Sequence, residues 1–311
     1  MTRAFVFPGQ GSQSVGMGQE LAEAFPAARE TFEEVDDALE RRLTKIMWDG
    51  PIEDLTQTVN AQPALMAHSI AMIRVLEAET GLDIADSIFV AGHSLGEYSA
   101  LCASGALSLA QTAQLLRVRG EAMQKAADAT DGAMAALIGV NAEGAQNAID
   151  AAKSDEVCQI ANDNAPGQIV ISGARERVEE VAGLAKEHGA KMAKLLPVSG
   201  AFHSELMQSA ADQMKEALAT AKIVAPKVPL VANVTALETT DPEEIRDQLV
   251  EQVTGRVRWT ESVDYMVSKG CEKIFEIGTG KVLSGLVKRI NRDVPVMALG
   301  SPSDIEGFLK E

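Results

Sequence analysis

The segment Ile88-Phe89-Val90-Ala91-Gly92-His93-Ser94-Leu95-Gly96-Glu97 joins a short apolar run to a helix-favouring stretch through G-H-S-L-G. The apolar run reads as a buried strand, and the G-x-S-x-G that ends it reads as a nucleophile elbow. In such an elbow a serine occupies a sharp strand-to-helix turn, and the flanking glycines let backbone and neighbouring elements approach closely. The next helix points its N-terminal amides back toward the serine oxygen. Ser94 is therefore the candidate nucleophile for acyl transfer. A helix-capping serine in an ordinary βα turn is the competing reading.

An elbow of this kind belongs in an α/β arrangement with a parallel sheet, and the flanking sequence agrees. A first strand at Ala4–Phe7 runs into Pro8-Gly9-Gln10-Gly11-Ser12-Gln13, and amphipathic helices follow at about 17–24, 27–42 and 62–79. After the elbow come helices at 97–104 and about 108–126. The middle of the chain then changes style. Strand-like runs at Ala133–Val140, Val157–Ala161, Gln168–Ser172 and Lys191–Val198 alternate with helical stretches at 142–153 and 174–188. The order βαββαβ is that of a ferredoxin-like split βαβ unit. Strands near 228–233, 273–277 and 295–299 resume the α/β pattern. The expected organisation is a discontinuous large domain, 1–127 and 200–311, with a small domain inserted at 128–199 and a site in the cleft between them.

Composition narrows the partners. A net charge of −17 argues against nucleic acid and anionic membranes. No run approaches the ~20 apolar residues of a membrane span, and the N-terminus reaches a strand and a Pro-Gly turn too early for a signal peptide. Cys102, Cys158 and Cys271 are few, odd in number and widely spaced, which suggests free thiols in a reducing cytoplasm and no metal site. An acidic partner would need a local basic patch. Lys281, Lys288, Arg289 and Arg292 offer one, although a solvated helix face is the plainer explanation.

Ser94 needs a base, and the chain has four histidines. His68 lies on an apolar helical face with Leu65, Met72 and Val75 and reads as a packing residue. His188 sits at a helix end beside Gly189 and reads as exposed. His93 alternates to the other side of the chain from Ser94 and reads as a support. His203 follows the last small-domain strand, at Val198-Ser199-Gly200-Ala201-Phe202-His203, where a junction residue reaches the interdomain cleft. It is the candidate base, with a structural histidine as the alternative. An acidic third member should lie between Ser94 and His203. Asp155 and Asp163 do, but both fall in the small domain, and a backbone carbonyl can orient an imidazole instead.

Arg119 falls inside an apolar arc of Leu115, Leu116, Val118, Ala122 and Met123, while Arg117 and Glu121 fall outside it. A buried guanidinium must meet an anion, either an internal acid or a substrate carboxylate. The glycine-rich loop 8–13 lacks a following G-K-[ST], and Ser14 stands where G-x-G-x-x-G has its third glycine, so phosphate binding is not expected. The loop can instead set an amide of Gln10 opposite that of Leu95 as oxyanion donors.

Together these segments resemble the malonyl-CoA:acyl carrier protein transacylases, over essentially the whole chain. The matching stretches are FVFPGQGSQ at 5–13, GHSLGEYSAL at 92–101, RG at 119–120 with Met123-Gln124, NDNAPGQIVISG at 162–173, VSGAFH at 198–203, VEQVTGRVRW at 250–259 and EIGTGKVLSGLVKRI at 276–290. The resemblance implies a hydrolase-like α/β core with a ferredoxin-like insert. It implies that Ser94 is acylated, that His203 is the base, and that the backbone carbonyl of Gln252 orients it. It also implies oxyanion amides at Gln10 and Leu95, a carboxylate-binding Arg119, and substrate contacts from Phe202 and Asn164. In related polyketide acyltransferases a phenylalanine at the position of Phe202 goes with malonyl; GAFH at 200–203 otherwise departs from related enzymes. Malonyl-CoA would be the donor, and the phosphopantetheine of an acyl carrier protein the acceptor, in fatty acid biosynthesis. The resemblance further implies no permanently bound cofactor, a docking surface that includes Lys288 and Arg289, and a cytoplasmic monomer. Alternatives are a free-standing polyketide acyltransferase, a serine esterase or thioesterase, and, furthest from these residues, a non-catalytic binding protein.

Overall fold

The computed structural model describes residues 2–198 and 200–310. Ser199, the last residue of the expected small domain, lies outside the described residues together with Met1 and Glu311. The strands in chain order are β1 (Arg3–Phe7), β2 (Phe89–Gly92), β3 (Gly132–Ile138), β4 (Cys158–Ala165), β5 (Gln168–Ala174), β6 (Met192–Leu195), β7 (Leu230–Val231), β8 (Glu238–Thr239), β9 (Lys273–Ile277) and β10 (Val296–Leu299).

Six of these form one sheet in the order β10-β9-β1-β2-β7-β8, parallel except where β8 returns antiparallel to β7. Its central strands are buried on both faces, as parallel strands covered by helices must be. Phe5, Phe7 and Val90 face one side, under the helices Thr58–Thr80, Leu109–Asp128 and Gln208–Thr220. Ala4, Val6, Phe89 and Ala91 alternate to the other, under the helices Trp259–Ser268 and Val282–Ile290. Strand order reverses at β1, which has β2 on one side and β9 on the other. The carboxyl ends of β1 and β2 are thus the crevice in which such sheets carry their sites. Among the described residues no helix is long and apolar enough to cross a membrane.

The second sheet has the order β4-β5-β3-β6 and is antiparallel throughout. With the helices Ala142–Ala151 and Arg175–Leu184 it is a split βαβ unit with its own apolar core.

Several boundaries differ from expectation, each for a local reason. The stretch Asn162-Asp163-Asn164, expected as a connection, is part of β4. Register shifts at Ile160/Asn162 and Asp163/Ala165 bend the strand toward the large sheet. There it exchanges main-chain bonds with Val257, Asp163 N–H to Val257 O at 2.9 Å and Val257 N–H to Ala161 O at 2.8 Å. Only Pro166-Gly167 turns. The helix expected from 62 begins at Thr58, so Pro63 lies inside it. Proline cannot donate to the carbonyl four residues back; that carbonyl, of Val59, accepts from Arg41 Nη2 at 3.1 Å instead. The helix expected over 27–42 ends at Ala38. Two short helices, Leu43–Asp49 and Ile52–Thr56, follow without a sequence signal. The helix expected over 174–188 ends at Leu184, which leaves His188 in a half-buried turn.

Close packing at Gly120 generates a prediction. A Cβ there would stand 2.7 Å from Val59 Cα, whereas one at Gly285, in the helix Val282–Ile290, meets nothing within 4 Å. Helix propensity favours alanine at both sites by about 1 kcal/mol, but overpacking costs about 1–3 kcal/mol. Urea unfolding should show Gly120→Ala destabilised and Gly285→Ala slightly stabilised. Stabilisation of both would contradict the packing of these two helices.

Candidate active site

Ser94 lies two residues past the end of β2 with φ of 54°, a left-handed conformation that a non-glycine residue adopts at a cost. The flanking glycines make the turn feasible. A Cβ on Gly92 would lie 1.9 Å from the Gly96 carbonyl carbon, and one on Gly96 would lie 2.2 Å from Phe7 O. Asn233, just past β7, brackets the bend. Its Oδ1 accepts from Ser94 N–H at 2.8 Å, and its Nδ2 donates to Gly92 O at 2.6 Å. The helix Gly96–Ala103 starts at once, so its N-terminus faces the Ser94 hydroxyl.

His203 also has positive φ, 57°, and is buried. Its Nε2 lies 2.8 Å from Ser94 Oγ, and its Nδ1 lies 2.8 Å from Gln252 O and 3.2 Å from Gly255 O. Carbonyls only accept, so Nδ1 carries the proton and Nε2 offers a lone pair to the serine hydroxyl. Burial and the nearby Arg119 charge lower the His203 pKa to about 3, against the raising effect of the Gln252 carbonyl. The imidazole is therefore neutral near neutral pH, as a base must be. Asp163 does not reach it. That carboxylate pairs with Arg256 Nη2 at 2.6 Å and accepts from Thr260 Oγ1 at 2.8 Å, tying β4 to the segment that supplies the two carbonyls.

Arg119 is 1% exposed. Among the described residues no carboxylate lies within ion-pair distance of it. Its Nη1 donates to Gln62 Oε1 at 2.9 Å, and its Nη2 to Gln252 Oε1 at 2.8 Å and to Ser94 Oγ at 3.1 Å. The Tyr98 ring lies 5.8 Å from the guanidinium carbon. These three bonds leave two of the five guanidinium N–H groups over, and Nε has no partner among the described residues. Arg117, outside the apolar arc, pairs instead with Glu121 at 2.8 Å. The Gln252 amide also donates to Ser94 O at 2.9 Å and to Glu97 Oε2 at 2.7 Å. One side chain thus joins nucleophile, guanidinium and a buried carboxyl.

Ser94, His203 and Arg119 line a cavity of about 860 Å³ between the two sheets, with Gln10, Leu95, Phe202, Asn162, Met134 and Val198 among its walls. The main-chain N–H groups of Gln10 and Leu95 have no acceptor among the described residues, as unused oxyanion donors would not. Asn164, unlike Asn162, is not a cavity wall. Its Oδ1 bonds His93 Nε2 at 2.8 Å, and His93 in turn backs onto Gly9, beside Gln10. His68 is buried against Gly300 O at 2.8 Å. Lys288 and Arg289 are exposed at the end of the helix Val282–Ile290. Sequence reading missed Gln62, Glu97, Asn233 and Gly255. A polar Gln62 in the run Ala61 to Leu65 was the available signal for one of them, and Gly255 acts only through its main chain.

The model of the acyl transferase domain family matches residues 4–299. The malonyl CoA-acyl carrier protein transacylase of Bacillus subtilis is 47% identical over 97% of this chain and 95% of its own length. A crystal structure of acyl-carrier-protein-S-malonyltransferase from Bartonella henselae superposes with a TM-score of 0.97 at 54% identity, covering 100% of this chain and 99% of that one. A structure of a type II PKS acyl-carrier protein in complex with its malonyl-transacylase matches with a TM-score of 0.95 at 39% identity, covering 100% and 99%.

The depressed His203 pKa makes labelling of Ser94 by a fluorophosphonate nearly constant from pH 7 down to pH 5. An imidazole at the ordinary value of about 6.5 would instead lose about 25-fold in its neutral form over that range. Labelling rates that fall with a midpoint near 6.5 would show that the base is not held neutral in this way.

Proposed function

The chain belongs to the acyl transferase family, and from that we propose that it moves a malonyl group from malonyl-CoA to the phosphopantetheine thiol of an acyl carrier protein through a malonyl ester on Ser94. The observation that carries this reading is the buried Arg119 guanidinium, 3.1 Å from Ser94 Oγ, with unpaired N–H groups and no acid in contact among the described residues. A half-thioester of a dicarboxylic acid supplies the missing anion.

The chemistry follows from the geometry. Ser94 Oγ attacks the thioester carbonyl while its proton passes to His203 Nε2. The tetrahedral oxyanion meets the Gln10 and Leu95 amides, and donors of this kind are worth about 10²–10³ in rate each. The C–S bond breaks, and His203 returns the proton to the departing CoA sulfur. The carrier thiol then gives its proton to His203, attacks malonyl-Ser94 and regenerates the serine, so the two substrates alternate at one site. Phe202, Met134 and Val198 surround the short acyl chain with apolar surface. An esterase reading is less well supported, since hydrolysis needs no buried Arg119 and commonly uses an acidic triad member.

We assign the acceptor role to the carrier protein of fatty acid synthesis, and the setting to the cytoplasm. In this reading the enzyme acts as a monomer with no resident cofactor. Lys288 and Arg289 are exposed cations on a chain of net charge −17 and suit an acidic carrier protein.

Arg119→Ala should lower kcat/KM for malonyl-CoA by about 10²–10⁴, the equivalent of the about 3–5 kcal/mol of a broken buried pair, with little loss for acetyl-CoA. An unchanged malonyl/acetyl ratio would remove Arg119 from substrate selection. Charge reversal of Lys288 and Arg289 should raise KM for the carrier protein several-fold, most strongly at low salt, and spare acylation by malonyl-CoA. An effect confined to the CoA half-reaction would reject that docking surface.

A further inference from the structure

Glu97 is a buried ionisable group beside the site that the mechanism above does not use. It is 1% exposed, in the first turn of the helix Gly96–Ala103. Its Oε2 accepts from Gln252 Nε2 at 2.7 Å and from Asn233 N–H at 3.2 Å, while Oε1 has no partner among the described residues. The charged and titratable groups that face it are few. Arg119 comes from the helix Leu109–Asp128 and Tyr98 from its own helix. The loop after β7 and the end of the helix Pro242–Glu251 contribute only the amides of Asn233 and Gln252.

This arrangement makes Glu97 the nearby counter-charge of Arg119, held one amide away. The Gln252 side chain spans the gap, donating to Glu97 and accepting from Arg119. Before substrate binds, the ionised form of Glu97 balances the guanidinium. A substrate carboxylate on Arg119 changes the balance, because two anions then share one buried cation, and the carboxylate in contact holds it. A buried charge left without compensation is costly and is relieved by protonation. We propose that Glu97 is a charge-relief site: it takes up one proton from solvent when a malonyl carboxylate binds Arg119, and releases it when the malonyl group leaves. Glu97 touches no reacting atom and acts on the site through Gln252 and Arg119.

Burial already raises the Glu97 pKa to about 7 in the empty site, against the lowering effects of Gln252, Asn233 and Arg119. The sign of the linkage follows. If binding raises this pKa further, affinity is greatest below about pH 7, where the proton is already in place. Affinity then falls toward tenfold per pH unit as pH climbs between the free and bound values. The same carboxylate would also raise the His203 pKa, which starts from about 3, so the Glu97→Gln arm of the test separates proton uptake at the two groups.

The inference rests on the proposed malonyl reading, and calorimetry separates the two. Ser94→Ala, which cannot be acylated, is titrated at pH 8 with malonyl-CoA and with CoA in buffers of different ionisation enthalpy. Malonyl-CoA should take up nearly one proton more than CoA, and its Kd should weaken as pH rises from 7 to 8.5. In Ser94→Ala/Glu97→Gln, which keeps an oxygen for the Gln252 and Asn233 donors, both effects should vanish. Malonyl-CoA that binds tighter than CoA without extra proton uptake overturns the Glu97 assignment alone, even if the double variant does not fold. The same holds if uptake persists in Glu97→Gln. Malonyl-CoA that binds no tighter than CoA overturns the carboxylate reading, and this inference with it.

Discussion

Burying an arginine without an acid in contact is the constraint on which the rest of this site turns. Arg119 is held by oxygens of Gln62, Gln252 and Ser94, so its hydrogen bonding is partly met while its charge is not neutralised at contact distance. That leaves the cavity primed for an anion. It also acts on the chemistry proposed above, since burial together with the same charge keeps His203 neutral, and the guanidinium places a donor on the Ser94 oxygen. On the proposed mechanism, selection of the acyl group and activation of the serine are therefore not separate devices. They share one guanidinium.

Such a charge can be held only by a rigid surround, and the fold supplies it from both sheets. The elbow is locked by glycines that leave no room for a Cβ and by Asn233 reaching across from β7. The base is locked by two carbonyls of the 252–255 turn, the next residues of which are bonded to β4. Asp163 strengthens that seam through Arg256 and Thr260. The small sheet thus contributes a wall to the cavity and also helps to orient the imidazole. A carbonyl in place of a triad carboxylate suits this setting, because a further buried anion beside His203 would compete for Arg119.

Much of this was legible in the chain. The elbow is local: its glycines, its strand and its helix are contiguous, so Ser94 could be read from ten residues. The anomaly of Arg119 was visible because helical period alone places it among apolar residues. The insert was legible from element order. Other features were not, because they depend on pairings between distant segments. That β4 continues through Asn162-Asp163-Asn164 follows from Val257, nearly a hundred residues later, and polar residues there read naturally as a loop. Asn164 turns to His93 rather than to the cavity for the same reason, since the register shift between Asp163 and Ala165 breaks the alternation that would otherwise put it on the face of Asn162. Glu97 looked like an ordinary acid in the first turn of a helix, and only the packing of Gln252 over it reveals a buried carboxyl.

The central claim is a covalent one, and peptide mapping of the trapped intermediate tests it most directly. Protein incubated with labelled malonyl-CoA, without carrier protein, is quenched in acid, digested and sequenced by mass spectrometry. One malonyl group should be found on the peptide that contains Ser94, on the serine itself, and it should disappear on addition of holo carrier protein. A label on any other residue, or no covalent label under conditions where transfer proceeds, would contradict the account.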